Sequence, residues 1–88
     1  SDVYKRQILV NATRLAAEFL AALPPECSPE HTDGRDGFIH PVEIRGTTEE
    51  VQIRMILRDF EREGLAQKGA LIESIASQLQ VRHPRAHI

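Results

Sequence analysis

The sequence has no tryptophan, one tyrosine and three phenylalanines. So few rings cannot build a platform on which successive bases stack, which excludes the single-strand nucleic-acid binders. Basic residues are not in excess either. Eleven Lys and Arg stand against thirteen Asp and Glu, a net charge of −2 that offers a phosphate backbone no field. A single cysteine, Cys27, excludes an internal disulfide and fits a reducing compartment. No run approaches the roughly 20 apolar residues of a membrane span. The polar start, SDVYKRQ, lacks the apolar stretch of a signal peptide. The phosphate-cradling patterns GxGxxG and GxxxxGK followed by Ser or Thr are absent, and no serine stands in a nucleophile elbow.

What is present is one small domain. Its 88 residues, 41% hydrophobic and 27% charged, have ordinary globular composition. A chain of this size buries only about two-thirds of its unfolded surface, so its stability is marginal without a neighbour. DVYKRQ resembles a translated sequencing adapter, so residues 1–7 read as non-native and residues 8–88 as the natural part. Both ends read as cuts, with the natural chain expected to begin upstream of Ile8.

Hydrophobic periodicity organises the rest. From Ile8 to Leu23, Ala12, Leu15, Ala16, Phe19, Leu20 and Leu23 recur at helical spacing, and Arg14 and Glu18 point away. Pro24 and Pro25 stop this helix. PPECSPEHTDGRDG, residues 24–37, reads as a long surface connection. In FIHPVEIR, residues 38–45, alternation puts Phe38, His40, Val42 and Ile44 on one face, the inward one. Pro41 cannot donate to a ladder, so this strand is at an edge or bulged near its middle. GTTEE makes a turn, with Gly46 suited to positive φ. VQIRMILRDF, residues 51–60, has the clearest period of two: Val51, Ile53, Met55 and Leu57 inward, Gln52, Arg54, Ile56 and Arg58 outward. A second helix runs from Glu61 to about Val81 on a stripe of Leu65, Ile72, Ile75, Ala76 and Leu79, with Asp59 or Glu61 at its amino end. His83-Pro84 closes it, and a strand begins near Ala86. The fold class is α+β: two helices on an antiparallel sheet, a truncated ferredoxin-like β-α-β-β-α-β sandwich with the first strand missing.

Candidate chemistry is sparse. Cys27 reads as a loop residue, and His31, Asp33 and Asp36 as a solvated loop rather than a metal site. Glu49 and Glu50 are adjacent in a turn and do not converge as an acid–base pair. His83 and His87 read as surface residues. His40 has two readings: a core or edge histidine with a satisfied ring nitrogen, or a polar group aimed into a cleft. Arg54 and Arg58 also have two. Either they are solvated or paired with Glu43 across the hairpin, or they offer a guanidinium fork held on a rigid strand for a carboxylate outside the domain.

VNATRLAAEFLAALP, SPEHTDGRDGF with a histidine two residues on, the GTTEE turn and MILRDFERE together resemble the middle segment of the peptidase T family. These are bacterial cytoplasmic tripeptide aminopeptidases among the two-zinc exopeptidases. The resemblance covers about Leu9 to Ile88. It implies a lid or dimerisation domain that closes over a peptide held by the parent chain's catalytic domain, and homodimers. It places two zinc ions, their ligands and the catalytic glutamate outside this stretch, which leaves the fragment inactive by itself. By position, Arg58 matches the family's arginine at the strand end, where it would bind the peptide's terminal carboxylate, and His40 matches the histidine of GFYH. Ile39 replaces that motif's tyrosine, Pro41 follows, and Arg35 replaces an aromatic. The alternative is a stand-alone α+β interaction module, with an edge strand offered to a partner.

Overall fold

The structure, a computed structural model, describes residues 2–24 and 37–88. The order is β1 (Asp2–Leu9), α1 (Ala12–Ala22), β2 (Phe38–Gly46), β3 (Glu50–Arg58) and α2 (Arg62–Arg82). The sheet is antiparallel in the order β1-β3-β2, with β3 central. The expected α+β class therefore holds, and both helices lie against the sheet.

The strand expected to be missing is present. Residues 2–9 pair with β3 along their whole length, from Asp2 opposite Leu57 to Leu9 opposite Glu50. The physical reason lies in their alternation: Val3, Lys5 and Gln7 are exposed, whereas Tyr4 and Arg6 are half-buried and Ile8 is fully buried. What the six-element order lacks is a last strand. In its place a single bridge joins Leu9 and His87 by two backbone hydrogen bonds, of 2.8 and 3.2 Å.

The first helix also begins later than periodicity predicts. Ile8 and Leu9 belong to β1, and the chain turns through Val10 and Asn11, both at positive φ (72° and 51°). A β-branched residue is strained there. The β2–β3 turn holds it: Val10 N–H donates to the Glu49 carbonyl and Ala12 N–H to that of Thr48. Gly46, at φ 142°, supplies the conformation that this turn needs, and a Cβ at that position would strike the Glu50 backbone.

The core sits between the sheet and the helices. Val51, Ile53, Met55 and Leu57 of β3 face inward as expected. Ala12, Leu15, Ala16 and Phe19 come from α1, and Ile72, Ile75, Ala76 and Leu79 from α2. Each large side chain buried this way stabilises the fold by roughly 1.5–3 kcal/mol. One polar group shares the inward face. Arg6, half-buried beside Ile53, donates to Glu73 of α2 at 2.5 Å and to the Tyr4 hydroxyl, which itself donates to Glu73. Burial lowers the Arg6 pKa from its ordinary value.

Candidate functional site

β2 is both an edge strand and a bulged one, the two consequences expected of Pro41. Phe38 to Pro41 pair with Arg58 to Met55; beyond the bulge, Glu43 to Gly46 pair with Arg54 to Val51. Val42 is the extra residue, and it flips the phase of everything after it. Hence Ile39, opposite Leu57, is the buried residue of β2, and Phe38 and His40 face outward.

This corrects the face expected for His40. Alternation placed Phe38 and His40 together, which is right, but placed them inward with Val42 and Ile44, which is not. His40 is exposed opposite Ile56, on the outer face of the sheet. It is an exposed histidine on an edge strand, not a core one.

Arg58 stands on the same outer face. It is the last residue of β3, exposed, and paired in register with Phe38. Its Cζ lies over the Phe38 ring, 5.3 Å from the centroid. The Phe38 and His40 rings meet edge to face, with centroids 6.3 Å apart and planes at 80°. Arg58, Phe38 and His40 therefore form one contiguous strip across β3 and β2. Next to it, the row of Val3, Ile56 and His40 adds apolar surface, and Lys5, Arg54 and Glu43 form the following row.

The pairing considered for the two arginines does not form. Glu43 instead accepts from Arg45 at 3.4 Å, and among the described residues neither Arg54 nor Arg58 has an ion pair. A guanidinium carries five N–H donors, and among the described residues no ion pair engages those of Arg58.

The strand end is anchored from behind. Asp59 Oδ2 accepts from Lys68 of α2 at 2.7 Å, and its Oδ1 accepts from the Glu61 N–H at 3.1 Å. This ties the end of β3 to the start of α2 and leaves Arg58 little slack. Of the two carboxylates expected at the start of this helix, Asp59 is the one that meets a backbone N–H; the Glu61 side chain makes no capping bond.

Other candidates scatter. Glu50 accepts from Gln7 across the sheet, and Glu49 is exposed in the turn. His83 ends α2 and approaches Glu18 of α1 at 3.3 Å; His87 makes the bridge to Leu9. Cys27, His31, Asp33 and Asp36 lie outside the described residues. Among the described residues no three His, Cys, Asp or Glu side chains gather where a metal ion could sit. No described helix is long and apolar enough to cross a membrane.

Sequence reasoning singled out Arg58 and His40 but not the Phe38 ring that meets both of them. The signal was partly there, in the shared parity of Phe38 and His40. The contact with Arg58 depends on strand register, which no local pattern states.

No family model matches the chain. Curated relatives do. Peptidase T of Aeromonas hydrophila is 44% identical over 80 residues, 91% of this chain and 20% of that protein. Peptidase T of Aeromonas salmonicida is 41% identical, and that of a Geobacillus strain 38%, over the same shares. The chain spans about a fifth of the length of the relatives it matches. Along nine-tenths of its own length, this 88-residue chain resembles one segment of peptidase T.

Proposed function

We propose that the chain is a segment of a peptidase T-like tripeptide aminopeptidase, and that it forms the lid that closes over the bound peptide. In this reading the parent is a cytoplasmic zinc metallopeptidase whose two metal ions and catalytic groups belong to a separate catalytic domain. This segment contributes grip, not bond cleavage, and is inactive alone.

The observation that carries the reading is Arg58: an exposed guanidinium at the end of the central strand, without an ion pair among the described residues. It lies in a chain that resembles peptidase T over most of its length. A fork so placed suits the terminal carboxylate of a short peptide. The distance from that fork to the hydrolytic centre then sets the length of peptide accepted. His40, exposed one row away, is the second substrate contact in this reading. The outer edge of β2, unpaired among the described residues and with Val42 and Ile44 exposed, supports a homodimer of the parent.

Arg58→Ala in the complete enzyme tests the reading. A charge-assisted hydrogen bond contributes roughly 1.5–3 kcal/mol, so KM for tripeptides should rise about ten- to a hundredfold. An unchanged kcat/KM removes Arg58 from the substrate site.

A further inference from the structure

Neither the strand-end motif nor the likeness to peptidase T says what holds the Arg58 side chain in place. A guanidinium on a flexible stem binds a carboxylate poorly until its torsions are fixed. At this strand end, three observations converge on one residue. Phe38 lies directly across the ladder from Arg58. The guanidinium carbon sits 5.3 Å from the Phe38 ring centroid, within cation–π range. The same ring meets His40 edge to face, with centroids 6.3 Å apart. Among the described residues no ion pair competes for the Arg58 N–H donors, which leaves them for a carboxylate.

We propose that Phe38 is a positioning residue, whose ring, braced by His40, holds the Arg58 guanidinium ready for the terminal carboxylate of a peptide. The proposal rests on the reading of Arg58 as the carboxylate grip. It differs from that reading in assigning the order of the site to an aromatic that touches no substrate. Phe38 points to the outer face and is half-buried, so its ring is not one of the buried core side chains.

Side-chain NMR of the 88-residue chain tests it, with N-acetylleucine as the carboxylate probe and N-acetylleucine amide as the neutral control. In the unmutated chain the Arg58 Hδ protons should be shifted upfield by the ring and show contacts to it. Phe38→Leu should abolish that shift and weaken the acid's association at the Arg58 Nε–H at least threefold. Phe38→Tyr, which keeps the ring, should preserve both. Should Phe38→Leu not fold, the ring shift of the unmutated chain and the Phe38→Tyr titration decide the matter. An unshifted Arg58, or equal acid binding by the unmutated chain and Phe38→Leu, overturns the positioning role and leaves the grip standing. A response to acid no greater than to amide in the unmutated chain overturns the grip, and the positioning role with it.

Discussion

Asp59 stands one residue beyond Arg58, where β3 gives way to α2. The hydrogen bond from Lys68, and after it the one from the Glu61 backbone, hold its carboxyl below its ordinary 3.8; desolvation works in the opposite direction. A folded-state pKa below the unfolded one means that the unfolded chain binds more protons in the window between them. Stability therefore rises with pH there. The contribution is complete above the unfolded value and vanishes as pH falls through the lower, folded one. Asp59→Asn should melt earlier than the unmutated chain near neutral pH, and the two melting curves should converge on acidification past that window. A gap that widens toward acid would contradict this assignment. Arg58 shows how much a single residue announces. Its outward face was legible from the alternation of β3, because the whole strand obeys one period. Its contact with Phe38 was not, because that depends on a residue 20 positions away.

At the scale of elements, α2 carries two glycines that its pattern treats alike and its packing does not. In a helix interior Gly is less favourable than Ala by about 1 kcal/mol. A Cβ at Gly69 would meet nothing within 4 Å. Gly69→Ala should therefore raise the melting temperature by several degrees, as about 1 kcal/mol does in a domain this small. A Cβ at Gly64 would lie 2.1 Å from Asp59 Oδ2, an oxygen pinned by Lys68. Gly64→Ala should lower the melting temperature instead, since the clash breaks the anchor of β3 on α2. Equal shifts in both variants would mean that helix propensity alone governs the site. The strands show a parallel contrast. β3 is central and regular, so its alternation states its faces correctly. β2 reads just as clearly as an alternating strand, but Val42 interrupts it, and one extra residue reverses the face of every apolar side chain on one side of the bulge. Pro41 signalled a bulge or an edge; it did not say which half of the strand would keep the expected parity.

At the scale of the whole molecule, among the described residues one sheet face is covered by helices and the other is open, and β2 lies along an unpaired edge. Ile44 lies on the inward side of that edge, opposite the fully buried Ile53, yet is 53% exposed. An apolar residue so placed favours strand addition. Concentration-dependent association in size-exclusion chromatography is the expected behaviour, and Ile44→Lys should shift the chain toward monomer. Its melting temperature should hardly change, since surface substitutions cost within about 0.5 kcal/mol. Unaltered association by Ile44→Lys would place the contact elsewhere.

By itself the sequence determined the α+β class, the inward and outward faces of β3, Arg58 among the outward ones, and the stripes of both helices. Each of these is a local periodicity, and burial acts on it directly. Only the tertiary structure decided the rest: that residues 2–9 complete the sheet, that His40 faces outward, and that Arg58, Phe38 and His40 share one strip. These depend on which strand lies beside which and in what register, and register is set by pairing across the chain, not by any run of neighbours along it.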